Sequence, residues 1–216
     1  MTLVPGHEVP IPAPPRPYLL PALPPDGTRV AVFANDQDLD IWLWDLGRST
    51  LTPFTFAPGI DAVPVWTPDG RRLIFSSERA GVPNLFWQAA DGTGAVERLN
   101  ESPNIQYPSA VSPDGRRLIF TEDDTKTLND DVMAIELDGT LRVTPLVQSP
   151  FRERNGIISP DGRWLTIRTP ANVNRLNRPA VFSWSRLKRS SDSASTATKG
   201  RAASVARTPR YVEWIR

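Results

Sequence analysis

Short apolar runs alternate with breaks rich in proline, aspartate and glycine along most of the chain. Residues 62–100 show the pattern most cleanly. AVPVW (62–66) is apolar and β-branched, RRLIFSS (71–77) and NLFWQAA (84–90) read as strands, and AVERLN (95–100) alternates. Between them lie TPDG (67–70), a polar loop ERAGVP (78–83) and the hairpin turn DGTG (91–94). Proline fixes one φ, aspartate bonds its own backbone and glycine accepts φ > 0, so each break is a turn with a mechanism. The prediction is four short antiparallel strands in about forty residues.

That unit recurs. TPDGRRLIFSS (67–77), SPDGRRLIFTE (112–122) and SPDGRWLTIRT (159–169) are near copies, and PPDGTRVAVFA opens a weaker one at Pro24. Their aspartates, Asp26, Asp69, Asp114 and Asp161, are 43, 45 and 47 residues apart. A turn followed by an apolar strand at a period in the forties predicts an all-β repeat fold, a β-propeller of four-stranded antiparallel blades. The blades fall at 18–56, 62–100 and 106–146, with a partial fourth at 155–169. Residues 1–17 align with the end of a blade and so read as the last strand of a preceding one; the other reading is a Pro-rich leader. Three full blades plus partial ones predict an open arc with uncovered end faces, hence a fragment of a larger protein or an arc that must associate. A closed four-blade ring requires the terminal segments to complete it.

Charge divides the chain. Residues 170–216 hold ten Lys/Arg against two acids, whereas residues 1–169 hold fifteen against twenty-two. This Ser-, Ala- and Arg-rich tail has no period and is expected to be disordered, with PAVFSW (179–184) and RYVEWIR (210–216) its strand-like pieces. It reads either as a change of reading frame near residues 166–171 or as a genuine basic tail. A basic tail can contact nucleic acid electrostatically, but it carries no recognition motif, and nucleic acid is not the expected partner.

Catalytic chemistry finds no support. The single histidine, His7, sits in the Pro-rich start, and there is no cysteine, so metal sets built on those residues are excluded. No G-x-S-x-G, Gly-rich loop, H-R-D or D-F-G occurs. No cofactor or metal site is predicted, and no enzyme activity. NDQDLD (35–40) fails as a calcium loop, because the sixth and twelfth positions from Asp36 are Ile41 and Gly47. The repeated Asp26, Gly27, Asp69, Gly70, Asp114, Gly115, Asp161 and Gly162 are expected to be structural turn residues. Candidate partner-contact residues are Asp36, Asp38, Asp40, Asp123, Asp124 and Asp130 in the loops, with Trp44 or Trp87 as an exposed anchor. The contact loops are 35–40, 78–83 and 123–131.

The SPDGRRLIF phrase, the following DIWLWDL or NLFWQAADG strand and the RLT-like closing strand resemble the WD-type repeat of TolB-like β-propellers. GHEVPIPAPPRPY, DIWLWDLGRSTLTPFTF and FRERNGIISPDGRWL are most similar to propellers joined to bacterial serine/threonine protein kinases as sensor segments. The resemblance stops after SPDGRWL, where the family continues with a different strand. It implies a non-catalytic scaffold that binds protein or peptide, or the propeller of a kinase or peptidase whose catalytic domain lies outside this chain. No signal peptide or long apolar span is present, so the address stays open: cytoplasmic as the chain stands, periplasmic or extracytoplasmic within a larger parent.

Overall fold

A computed structural model describes residues 10–37, 39–149, 152–169 and 181–186. It contains only strands: β1 (Tyr18–Ala22), β2 (Arg29–Ala34), β3 (Ile41–Asp45), β4 (Thr50–Pro53), β5 (Asp61–Trp66), β6 (Arg72–Ser77), β7 (Asn84–Ala89), β8 (Glu97–Arg98), β9 (Ile105–Val111), β10 (Arg117–Asp124), β11 (Asn129–Glu136), β12 (Val143–Val147), β13 (Arg154–Ile158), β14 (Trp164–Thr169) and β15 (Val181–Arg186). They form three four-stranded sheets and one of three strands, each ordered as in the sequence and paired antiparallel. The first strands of successive sheets, β1, β5, β9 and β13, lie side by side. They therefore line the common axis, and the later strands of each blade radiate from it.

Both faces of the inner blades are buried, which explains why RLIF is a continuous apolar run rather than an alternating one. Leu73 and Phe75 face the first blade with Ala31, Ile41, Leu43 and Phe54. The intervening Ile74 faces the third blade with Leu118, Phe120, Met133 and Ile135. Ile119, Val132 and Ala134 then meet Leu165 and Ile167 of the fourth. Gly156 permits the last contact, since a Cβ there would stand 2.7 Å from Ile119 Cγ2.

Each axial strand carries a bulge where its register with the second strand shifts. Leu20, Val63 and Asn155 adopt φ of 52°, 57° and 55° at three of these. A positive φ is costly for a β-branched valine, so the bulge is imposed by packing at the axis. Pro21, Pro64 and Pro108 sit in these strands, where a missing N–H is tolerated at a bulged edge.

Two expectations need correction. Residues 10–17 hold no strand. Five of those eight residues are proline, and proline cannot donate to a sheet ladder. Instead, the Tyr18 hydroxyl donates to the Pro14 carbonyl at 2.8 Å, and the Arg16 guanidinium lies 4.2 Å from the Trp42 ring centre. Residues 1–9 lie outside the described residues. Second, the basic tail is not wholly without structure: β15, within PAVFSW and its flank, pairs with β14 from Trp164↔Arg186 to Thr169↔Val181. The fourth sheet thus runs past residue 169, while the rest of the tail lies outside the described residues. The four sheets form an open arc, with extensive contacts only between successive sheets among the described residues.

Candidate functional site

The antiparallel order gives the arc two rims. One carries the turns between the first and second, and third and fourth, strands of each blade. The other carries the loops between second and third strands and the connections from blade to blade.

The turn rim is built from the repeated phrase. Thr67, Ser112 and Ser159 hydroxyls each donate to the aspartate two residues on, Asp69, Asp114 or Asp161, at 2.6 Å. The same hydroxyls accept the N–H of Arg72, Arg117 and Trp164 at 3.0, 2.9 and 3.0 Å. Gly70, Gly115 and Gly162 close the turn with φ of 66°, 73° and 68°. Pro24 replaces the hydroxyl residue in the first copy, so Asp26 accepts instead from Thr28 N–H and hydroxyl at 3.0 and 2.9 Å, with Gly27 at φ 63°. Asp91 and Asp138 repeat this Asp-Gly-Thr form with Thr93 and Thr140. Hydrogen bonds from neighbouring hydroxyls and N–H groups hold all six carboxyls below their usual range, Asp161 at about 2. These aspartates are tied into their own turns.

The loop rim holds the candidate contact acids, and most are engaged internally. Asp36 pairs with Arg16 at 3.2 Å. Asp40 accepts from the Thr55 hydroxyl at 2.7 Å, which itself accepts the Ile41 N–H. Asp124 caps its own turn through Lys126 N–H and the Thr127 hydroxyl at 2.9 and 2.8 Å. Asp38 lies outside the described residues.

Asp130 is fully buried beneath Arg152, whose Nε donates at 2.7 Å, and Arg154, whose Nε and a terminal nitrogen both donate to it. Asp123 joins the cluster at 3.1 Å from Arg154. Burial and the neighbouring Asp130 charge raise the Asp123 pKa, while the two arginines hold Asp130 low against its own burial. Asp130 thus clamps the fourth blade to the third, and its buried carboxylate is not available to a partner. Trp44 is 5 % exposed and cannot serve as the surface anchor either. Trp87 is half-buried on the other rim, beneath the Arg72 guanidinium.

Other buried polar groups tie this rim together. Asp61, 1 % exposed, accepts from Arg79 at 2.8 Å, and its burial pushes its carboxyl up. Asn84, also fully buried, donates to the Pro83, Ser102 and Asn104 carbonyls and accepts from Ser102 N–H. Glu122 gathers the Ser102 hydroxyl and the Gln106 amide.

This rim also exposes large apolar side chains. Phe56 is 75 % exposed, Leu128 68 % and Val82 39 %, and they come from the loops of three successive blades. The repeat contained a signal for Phe56. Phe54 and Leu99 are equivalent, each donating its N–H to the carbonyl of an equivalent residue, Ile41 or Leu85. Phe56 therefore stands where the next blade has the exposed Glu101. Among the described residues, no three His, Cys, Asp or Glu side chains converge on a metal position, and His7 lies outside them. No helix of the described residues is long and apolar enough to cross a membrane.

Radiating four-stranded antiparallel sheets around shared axial strands define a β-propeller arc. The PD40 family, TolB beta propeller domain, matches residues 16–181, and the chain belongs to that family. The Tol-Pal system protein TolB of Wolinella succinogenes is 36% identical over 75 residues, which are 34% of this chain and 18% of that protein. The crystal structure of TolB from Acinetobacter baumannii superposes with a TM-score of 0.63 at 23% identity, over 79% of this chain and 41% of that one. A prolyl endopeptidase structure matches with a TM-score of 0.59 at 16% identity, over 84% of this chain and 28% of its own. The chain thus covers less than half the length of these proteins.

Proposed function

We propose that this chain is a non-catalytic module that binds a protein or peptide segment on its loop rim. The observation that carries this reading is the exposure of Phe56, Val82 and Leu128 on three neighbouring loops of one rigid scaffold. A solvated loop gains nothing by exposing phenylalanine, and contact residues concentrate on loops held by a rigid frame. Glu101, 86 % exposed at its side chain, and the capped Asp124 add negative charge around these apolar groups. The partner that fits is a segment with apolar side chains flanked by basic ones. Recognition involves no bond chemistry. As part of a larger protein, such a module belongs in the periplasm or outside the cytoplasm, in keeping with its similarity to a Tol-Pal system protein.

The test is selection of displayed peptides on the immobilised chain, followed by counter-screening on a variant carrying Phe56→Ser, Val82→Ser and Leu128→Ser. Selected peptides should bind the variant at least about tenfold more weakly, a loss of about 1.4 kcal/mol. Undiminished binding to the variant would remove the site.

A second reading makes the arc the propeller of a peptidase, or the sensor segment of a serine/threonine kinase, whose catalytic domain is encoded elsewhere. The propeller match in a prolyl endopeptidase supports the first form, and the GHEVPIPAPPRPY and FRERNGIISPDGRWL phrases support the second. Sequencing the flanking gene separates them: a kinase core upstream or a G-x-S-x-G hydrolase downstream favours this reading, and neither favours the free-standing module.

A further inference from the structure

The repeats allow one blade to serve as the control for another, and the second blade departs from its neighbours at the turn rim. The second strand of each full blade begins with an arginine facing the next blade. Arg29 stands opposite Asp45 in register, Arg117 opposite Glu136, but Arg72 opposite Ala89. Arg117 is satisfied within its blade, donating from Nε and a terminal nitrogen to Glu136 at 3.1 and 2.9 Å. Arg29 reaches the next blade instead, donating to the Ala90 carbonyl at 2.7 Å above the Trp66 ring. Arg72 has neither. Its ionic partner among the described residues is Glu97 at 4.0 Å, beyond hydrogen-bonding distance, and its side chain is 42 % exposed.

The space beside it differs too. Trp66 fills the first interface and donates its indole N–H to the Ala22 carbonyl at 3.0 Å. The position equivalent to Trp66 in the next blade is the smaller Val111. A cleft of about 440 Å³ lies there, open along the rim between the turns at Asp69 and Asp114, with Arg72, Trp87, Pro113 and Leu137 among its walls. Trp87 holds the Arg72 guanidinium 3.8 Å above its ring centre, while its indole N–H donates to Glu97 at 2.8 Å. The guanidinium is thereby oriented while Glu97, its ionic partner, stays beyond hydrogen-bonding distance, and an ordered cation on an aromatic face suits a planar anion. The Asp69 and Asp114 carboxylates in the walls are committed to Thr67 and Ser112 hydroxyls and to the N–H groups of Arg71 and Arg116. Their charge disfavours a ligand with a second carboxylate.

We propose that this inter-blade cleft is a second binding site, taking a single carboxylate on an otherwise apolar peptide segment. The carboxylate pairs with Arg72, and the flanking apolar side chains rest on Trp87, Leu137 and Pro113. A charge-assisted, bidentate pair at Arg72 supplies selectivity, and the open cleft accommodates an extended segment.

The probe is the capped peptide acetyl-Leu-Glu-Leu-amide, titrated into the full chain while the indole N–H signal of Trp87 is followed by NMR. Trp87→Phe assigns that signal. Saturable movement is expected with a Kd of about 1 mM or tighter, and at least about tenfold weaker binding by acetyl-Leu-Gln-Leu-amide and by free acetate. Arg72→Gln should weaken the glutamate peptide by at least about tenfold with the unfolding midpoint unchanged. Ala89→Glu supplies the acid that the neighbouring blades carry. It should raise stability and abolish peptide binding together, whereas an arginine with a purely structural role would show only the gain in stability. Equal response to the glutamine peptide or to acetate, no response to any probe, or unchanged binding in Ala89→Glu would each overturn the proposal.

Discussion

The two rims of the arc use aspartate in opposite ways. On the turn rim one geometry repeats: a hydroxyl and a backbone N–H converge on Asp69, Asp114 and Asp161 at nearly the same distances in three blades. On the loop rim the solutions differ from site to site. Asp61 holds Arg79, Asn84 gathers three carbonyls, and Asp130 takes Arg152 and Arg154 from the start of the fourth blade. Repetition on one side marks what the fold requires of any blade. Individuality on the other marks how particular blades are joined and what they can present. The same logic exposes Phe56 on the loop rim and Arg72 on the turn rim, since each breaks a pattern that its neighbours keep.

The largest effect should come from the core that both rims share. Phe75 is fully buried and meets Phe54 edge-on at 6.2 Å between ring centres. Phe75→Ala should cost about 3–5 kcal/mol, read as a fall in the chemical denaturation midpoint. A cost below about 1 kcal/mol would mean that the first two blades do not pack as described. Asp130→Ala should come next, at roughly 2 kcal/mol. It leaves two guanidinium groups without their carboxylate, but Arg152 and Arg154 are 45 % and 40 % exposed and water recovers part of the loss. Hydrogen exchange should then rise first in β13 and β14. Asp69→Ala on the turn rim should cost only about 1 kcal/mol, and Asp114→Ala about the same. Unequal values for these two would break the claim that the turn is one reusable part.

Much of the turn rim was legible because its chemistry is local. Asp69, Gly70 and the preceding Thr67 lie within four residues, and a phrase repeated in register names its own bonds. The blade interiors were legible for the same reason, since RLIF cannot be half-solvated. The loop rim was not. Asp130 and Arg154 are 24 residues apart and belong to different blades, so nothing in NDDV or FRER announces that they meet. Acids in loops therefore looked free when they were paired. Trp44 looked like a candidate anchor, although its place on the third strand of a blade buries it. The prolines of β1, β5 and β9 were visible, but the bulge of each axial strand depends on packing at the axis, which one blade alone does not specify. Phe56 and Arg72 became interpretable only after strand register fixed which residues are equivalent.

Acid titration gives the smallest effect and separates Asp161 of the turn rim from Asp61 of the loop rim by sign. Asp161 has a pKa near 2 in the folded chain against 3.8 for the free side chain, so the unfolded chain binds more protons. Its contribution is fully present above the unfolded value and is lost as pH falls through the folded one. Asp161→Asn removes that loss, so the variant should lose less stability than the parent on acidification through this window. Asp61 is shifted the other way by burial, despite its bond to Arg79. The folded chain then binds its proton more tightly, so acidification toward about pH 4 favours the fold at this site. Asp61→Asn should therefore lose more stability than the parent on the descent to about pH 4, above the window of Asp161. Urea unfolding of the parent and both variants, measured at several pH values, tests the pair. Changes of the same sign relative to the parent in the two variants would mean that burial at Asp61 and local hydrogen bonds at Asp161 do not act in opposite directions.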